Sequence, residues 1–494
     1  MAYNAKQRVA PYLLILFIGF LIGFTIIVDP YVTAYTLDFL NTSLINNHHI
    51  VVYPYFLTTF LLLLFVLFAG IVKPIVKKIA LFPEKAFLLI FFISFNTLSL
   101  TEVAGHIDGG DLATGIIFLL FVFQALTKEE KVIISLLDML NLLMIATILL
   151  CVIHNVLLFV RLNTILKYTL MSFVFSNLVY KKNLTYFFIK MLLISTTISA
   201  GIAIIQELIY MTTRAVVIGK YDPRQLKLMF EDTPFGRALR VPAFVGSYKT
   251  LAFLLITNIL IVVNFIFYMP RYIKKFKKSV VSALIIMSGA LFLTFSKDSM
   301  LALSITLLFS FFVRWPNLII HGFTFSLVLI VVVISYGLVD DIYNAILSEL
   351  SYGELRIRVI LNKEGILGFI NQYFFTGTGI TDGSKYTASI NNWPSHNAFI
   401  LTAVEIGIFG LTVYAMLFIY TFANLIWLNT NASRPREKAL FRGLFMSMIC
   451  LLIVFQTHAG HIDIILWLYM AFIQGIVLVK RRELAAKNRA IISI

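Results

Sequence analysis

Apolar residues in this chain come in long runs separated by short polar breaks, and those runs set its first expectation. A membrane-crossing helix needs about 20 mostly apolar residues. Fourteen segments qualify, at 11–28, 50–72, 86–103, 112–127, 133–159, 166–180, 184–209, 247–268, 279–296, 299–317, 319–338, 397–427, 442–458 and 461–479. Segment 166–180 is short and also reads as a re-entrant piece. The first run is followed by Asp29-Pro30 and a polar loop rather than by a small-residue cleavage site, so it reads as a retained span. With no internal repeat and no low-complexity linker, the expected fold is all-α: one polytopic integral membrane domain over 1–494 with about 14 transmembrane helices.

Composition narrows this further. Of 494 residues, 60% are hydrophobic and only 13% charged, whereas a soluble domain carries about 25% charge. The mean hydropathy is +0.93. A single water-soluble globule is excluded, as are collagen-like, disordered and disulfide-rich secreted chains. Cys151 and Cys450 both sit inside apolar runs and form neither a disulfide nor a metal framework. The abundant Phe (46) and Tyr (22) suit a lipid-facing surface with interfacial rings.

The net charge of +16 would suggest nucleic acid in a soluble protein, but its placement explains it otherwise. With a cytoplasmic N-terminus, alternate loops hold Lys73, Lys77 and Lys78, then Lys128 and Lys131, then Lys181 and Lys182. Arg271, Lys274, Lys275, Lys277 and Lys278 follow, then Arg434, Arg436 and Lys438, and the tail Lys480-Arg481-Arg482. The opposite loops 29–49 and 104–111 contain no Lys or Arg. This positive-inside pattern predicts two cytoplasmic termini and no nucleic-acid partner. Two long outer loops remain, 210–246 and 339–396. The first carries Arg214, Lys220, Arg224, Lys227, Arg237 and Arg240 on the non-cytoplasmic side. It reads either as a solvated loop balanced by Asp222, Glu231 and Asp232 or as an anion site at the outer membrane face.

The candidate chemistry lies where the second loop ends, in Trp393-Pro394-Ser395-His396-Asn397, before the helix AFILTAVEIGIFG. Gly407 and Gly410 follow His396 at offsets of 11 and 14, within about 40° of its azimuth on an ideal helix, with Ala403 on the same face. A small-residue stripe there would let another helix backbone pack closely. Pro394 stiffens the approach, and Ser395 or Asn397 can cap the helix start. The expectation is a histidine fixed at the outer water–lipid boundary, with a purely structural interfacial histidine as the plain alternative.

His396-Asn397, nine residues, Gly407, two residues and Gly410 resemble the signature of the O-antigen ligase and O-antigen polymerase superfamily. Those membrane glycosyltransferases act on undecaprenyl-pyrophosphate-linked sugars. Phe374-Phe375-Thr376-Gly377-Thr378-Gly379 is similar to the Gly-x-Gly turn preceding the family's histidine, and Gly353-Glu354-Leu355-Arg356-Ile357-Arg358 to its arginine segment. Thr294-Phe295-Ser296-Lys297 resembles a turn ending in Ser-Arg, with Lys in place of Arg; Arg240-Val241-Pro242 through Gly246 resembles another basic position. The resemblance spans about 240–412. It implies His396 as general base, Arg240, Lys297, Arg356 and Arg358 as pyrophosphate ligands, and Asn397, Glu405, Gly407 and Gly410 in support. It implies no metal and no cofactor, because the lipid-linked donor is already activated. Its expected partners are an undecaprenyl-pyrophosphate-linked oligosaccharide, the bilayer and a chain-length regulator membrane protein. The expected location is the bacterial inner membrane, with the active site on the periplasmic or outer face.

The residue types suit that chemistry. Arginine is always charged and binds phosphate oxygens bidentately. Histidine, with an unperturbed pKa near 6.5, is a usable base. Plainer readings remain: Arg358 pairing with Glu354 at i,i+4, Lys297 pairing with its neighbour Asp298, and Arg240 snorkelling. Glu405 falls within a span, where a carboxylate is costly and is functional or paired. His458, His461 and Asp463 lack zinc spacing and read as a polar turn. His106, Asp108 and Asp111, with Asp29, raise the rival of a metal-dependent lipid-carrier glycosyltransferase, against solvated turn acids. A polysaccharide-lipid transporter is the rival from another class: fourteen spans fit it, and Asp138, Lys190 and Glu207 could line a path. Between polymerase and ligase, the span count favours the polymerase.

Overall fold

The structure is a computed structural model, and it describes residues 50–52, 102–103, 107–108, 133–152, 159–182, 184–213, 216–218, 230–233, 236–243, 247–314, 354–371, 374–375, 377, 395–458 and 464–492. Spans expected at 11–28, 112–127 and 319–338, and nearly all of 50–72 and 86–103, lie outside the described residues.

Helices dominate what is described. In chain order they are α1 (Leu136–Val152), α2 (Phe159–Lys182), α3 (Thr185–Thr213), α4 (Tyr248–Tyr268), α5 (Pro270–Leu293), α6 (Lys297–Arg314), α7 (Glu354–Asn371), α8 (Ala398–Thr430), α9 (Pro435–Val454) and α10 (Ile464–Ile492). Six strands of two to four residues form three pairs: β1 (Ile50–Val52) with β4 (Val216–Ile218), β2 (Glu102–Val103) with β3 (Ile107–Asp108), and β5 (Phe230–Thr233) with β6 (Gly236–Leu239). Among the described residues, three helices, Thr185–Thr212, Tyr248–Tyr268 and Ala398–Thr430, are long and apolar enough to cross a membrane. Together with the long apolar sequence this is a multi-pass membrane protein.

Several expected spans take forms that apolar runs alone did not indicate. Segment 166–180 is part of the continuous 24-residue α2. α5 begins at Pro270, so the basic stretch expected as a loop forms its first turns. α10 runs past 479 to Ile492, because Lys, Arg, Glu and Ala are good helix formers and carry the helix beyond its apolar part. Loop 210–246 holds β4, β5 and β6, and loop 339–396 holds α7.

The chain divides into two compact units, Met1–Val132 with Asn177–Leu255 and Val281–Ser296, and Ile133–Ser176 with Ile256–Val280 and Lys297–Ile494. In the first, the 240–243 turn is pinned from two sides. Gln206 donates its side-chain amide to the Ala243 carbonyl at 3.2 Å, and the Val241 amide donates to the Leu293 carbonyl at 3.2 Å.

The second unit is built around α8, which packs on α1, α7, α9 and α10, while α6 packs on α9. A chain of rings marks its core, Phe399 to Tyr414 (5.3 Å), Tyr414 to Phe418 (5.2 Å) and Phe418 to Phe455 (6.4 Å). α9 approaches the second half of α4 closely at Gly443, where an added Cβ would lie 3.0 Å from the Ile261 Cα, and Ser447 donates to the Thr257 carbonyl at 2.8 Å. Met416, Ile419 and Ile426 of α8 and Leu301, Ile305 and Leu308 of α6 point outward, as lipid-facing residues do.

Glu437 and Lys480 tie α9 to α10. The Lys480 ammonium donates to Glu437 Oε2 at 2.8 Å, both side chains are nearly buried, and the Ser433 amide donates to the same oxygen at 3.0 Å. Burial alone would raise the Glu437 pKa. The hydrogen bonds from Lys480 and from the Ser433 and Arg434 amides, with the Lys480 charge, outweigh it and hold the carboxyl below the ordinary value of 4.5. A lowered folded-state pKa contributes stability that is fully present above the unfolded value and is lost as pH falls through the folded one. Glu437→Gln strands a buried ammonium, so at neutral pH it is expected to cost about 3 kcal/mol. In detergent melts the gap to the parent should narrow as pH drops below the carboxylate range. A constant gap down to pH 3 would refute the assignment.

Candidate active site at the start of helix α8

α8 starts at Ala398, and the structure chooses between its two possible caps. Asn397 is the N-cap: its side-chain oxygen accepts from the Phe399 amide at 2.9 Å and the Ile400 amide at 3.1 Å. Ser395 instead donates its hydroxyl to Asn362 Oδ1 of α7 at 2.7 Å. His396, half-buried, is therefore held between two anchored neighbours.

The turn after α9 completes the anchoring. The Ala398 amide donates to the Phe455 carbonyl at 2.9 Å, and Asn397 Nδ2 donates to the Gln456 carbonyl at 3.3 Å and to its side-chain oxygen at 3.1 Å. One residue further on, the Thr457 carbonyl accepts from an Arg358 terminal nitrogen at 3.5 Å. The short segment 455–457 thus joins the backbone beside His396 to the guanidinium of Arg358.

Arg358 also makes an ion pair with Asp298. The same nitrogen reaches both carboxylate oxygens, at 3.0 and 2.9 Å, and the side chains are 16% and 24% exposed. This ion pair joins residues 60 positions apart, a partnership that neither local reading contains, and it carries the Asp298 carboxylate across the unit to Arg358. Lys297 begins α6 beside Asp298 and is exposed. The turn before it is tight, with Phe295 at φ 49 and the Thr294 hydroxyl donating to the Leu291 carbonyl at 2.7 Å. Arg356 lies in the first turns of α7.

A second anchor sits within α8. Gly407 adopts φ 74, ψ −172, conformations open essentially to glycine alone, and breaks the helix. The Ile408 amide donates out of the helix to the Phe374 carbonyl at 2.8 Å. Gly377 meets it with φ 69. A Cβ on Gly377 would fall 2.4 Å from the Glu405 carbonyl carbon, and one on Gly407 only 2.2 Å from the Phe375 carbonyl oxygen. The glycines thus permit a crossing of two backbones. This corrects the expected stripe: the azimuths assumed an unbroken helix, and the backbone packed on α8 is the 374–377 turn rather than another helix. Gly410 answers a different need, since its Cβ would lie 2.3 Å from the Ile406 side chain, which the break brings over it. Glu405, 2% exposed, sits at the crossing.

In the first unit, Arg240 follows β6 and donates to the Tyr248 hydroxyl at 3.1 Å, with its guanidinium 5.2 Å from the centre of that ring. Ser247 caps α4 beside it, accepting from the Thr250 amide at 3.0 Å. Arg240 therefore stands near the positive end of a helix dipole, in a place suited to an anion.

Sequence reasoning missed Asp298 as an arginine partner, along with Asn362, Gln456 and Thr457. Asp298, a lone acid in the first turn of an apolar helix, was the one readable signal among them. Among the described residues, no group of three or more His, Cys, Asp or Glu could hold a metal ion. His461, Asp463, His106, Asp111 and Asp29 lie outside the described residues.

Residues 282–415 match the family model described as O-antigen ligase. The match takes in Lys297, Asp298, Arg356, Arg358, Gly377, His396, Asn397, Glu405, Gly407 and Gly410, and leaves Arg240 and the 455–457 turn outside. It bears out the superfamily resemblance over that segment and supports a ligase- or polymerase-type function. No curated protein matches the chain.

Proposed function

We propose that this chain transfers a glycan from undecaprenyl pyrophosphate to an acceptor hydroxyl, the acceptor being the non-reducing end of another lipid-linked repeat unit. The observation that carries the reading is the linkage of His396 to Arg358 through the 455–457 turn: a base candidate and a cation held together by one short piece of backbone. His396 accepts the hydroxyl proton as the acceptor oxygen attacks the anomeric carbon. The bond from that carbon to the pyrophosphate breaks, and undecaprenyl pyrophosphate leaves as a stabilised anion. Arg358, Arg356 and Lys297 are the proposed pyrophosphate ligands of the second unit, and Arg240 is proposed as a pyrophosphate-binding residue of the first. Asp298 aims the Arg358 fork, and Asn397, Glu405, Gly407 and Gly410 hold the histidine helix in shape. Direct displacement inverts the anomeric carbon, and a retained linkage in the product would sink that step. The proposed site faces the non-cytoplasmic side of a bacterial inner membrane, with both termini cytoplasmic.

The second reading is a ligase, with lipid A-core as acceptor; the family match over 282–415 supports either type. Purified protein given only the undecaprenyl-pyrophosphate-linked repeat unit separates the two. The expected result is a ladder that grows without any added acceptor. Growth only after lipid A-core is supplied, with transfer to it, would make the chain a ligase. Silence in both assays would favour the transporter.

A further inference from the structure

The described part of the second long loop does not have the surface of a water-side segment. From Gly365 to Ile370, α7 is apolar on both faces. Leu361 and Gly365 face inward, while Val359 (56% exposed), Ile366, Leu367 and Ile370 (57%) face outward. Phe374 and Phe375 (62%) continue that outward stripe. A helix packed on a protein beside water presents polar residues outward, and a contiguous exposed apolar stripe marks an interaction surface.

Contacts with α8 fix the direction in which α7 runs. Arg358 and Asn362 are tied to the level of the α8 start, through Thr457 and Ser395. Gly365 lies against Ser395, Ile400 and Val404. Phe374 accepts from Ile408, and Gly377 crosses at Gly407. α7 therefore runs alongside α8 in the same direction. Gly407 is nine residues beyond Ala398, about 14 Å along a helix, or roughly half the ~30 Å hydrocarbon core. Polarity follows the same gradient. Arg358 and exposed Lys363 stand near the α8 start, whereas Ile366, Leu367, Ile370, Phe374 and Phe375 lie deeper, with Asn371 the one exposed polar side chain among the described residues there. Phe375 meets Phe409 on the outward face of α8, ring centres 6.2 Å apart, so the stripe is continuous with the lipid-facing surface of a membrane-crossing helix.

We infer that α7 and the 374–377 turn form a re-entrant element that dips to about mid-bilayer, with the stripe Ile366–Leu367–Ile370–Phe374–Phe375 covered by lipid acyl chains. Non-helical backbone at that depth is tolerated only where protein covers it. The crossing at Gly377 and Gly407, closed by the Ile408-to-Phe374 hydrogen bond, provides that cover. Lys363 keeps its ammonium at the headgroup level and its stem along the apolar face. On the functional reading above, a lipid-linked anion would reach Arg358 sideways from the same leaflet.

The test uses the unaltered chain in phosphatidylethanolamine–phosphatidylglycerol liposomes doped with a phospholipid carrying a carbene-generating group on its acyl chain. After illumination and digestion, peptides covering 366–375 are expected to carry lipid adducts at a level comparable with the α8 face at Met416 and Ile419. Adducts on α8 with none on 366–375 would overturn the inference, as would protein–protein cross-links in their place. A nitroxide at Ile370→Cys or Phe375→Cys, in a background lacking Cys151 and Cys450, gives a second reading. Oxygen should broaden its signal more than a water-soluble nickel chelate does, and the reverse order would also overturn the inference.

Discussion

His396→Ala is expected to slow glycan transfer by about 10²–10⁴-fold, the usual worth of a positioned general base, without unfolding the protein. The two halves of that expectation rest on different contacts. The start of α8 is held by Asn397 capping the Phe399 and Ile400 amides, by Ala398 bonded to Phe455, and by Ser395 bonded to Asn362. None of these bonds uses the imidazole, so the start of α8 should keep these anchors in the variant. A His396→Ala protein that transfers glycan at the parent rate would remove the histidine from the mechanism.

Gly407→Ala is expected to be the most damaging change of a single methyl group. The new Cβ would fall 2.2 Å from the Phe375 carbonyl oxygen and 2.8 Å from the Gly377 amide nitrogen. Both are backbone atoms, so no side-chain rotation relieves the clash. Holding alanine at φ 74, ψ −172 costs about 1–3 kcal/mol, and overpacking adds a similar amount. A total near 4 kcal/mol should lower the melting temperature by several degrees and abolish transfer. Gly201→Ala is the matched control, because its Cβ would meet nothing within 4 Å. There the substitution within α3 should be neutral or stabilising by up to about 1 kcal/mol. Equal melting temperatures for the two variants would show that the crossing is not as tight as described.

How much of this could be read from the sequence depended on how local the physics was. The runs at 184–209, 247–268 and 397–427 became α3, α4 and α8 with ends shifted by only a few residues, because an apolar run of spanning length has little choice but helix. His396 and its Asn397 cap were likewise written within five residues. The ends of α5 and α10 were not, since apolarity marks only the lipid-buried part and basic first or last turns continue the same helix. The break in α8 was hidden for a different reason. Glycine inside an apolar run reads as a small packing residue, and only its partner at Gly377, thirty positions earlier, reveals a crossing. The Arg358–Asp298 pair spans 60 positions and joins two helices that no local rule connects.

The crossing at Gly377 and Gly407 also bears on how freely this sequence can drift. Each glycine leaves room for the backbone opposite, not for a side chain, so a change at one cannot be offset by a change at the other. A descendant must keep both or abandon the turn. Gly410 is bound by a different rule: its Cβ would lie 2.3 Å from Ile406 Cγ2 and 2.4 Å from Ile406 Cβ, so trimming Ile406 to a smaller side chain would not release it, and only glycine at 406 would. Two glycines three positions apart on one helix thus carry different evolutionary debts, one owed to the main chain of another segment, the other to the Cβ of its own helical neighbour.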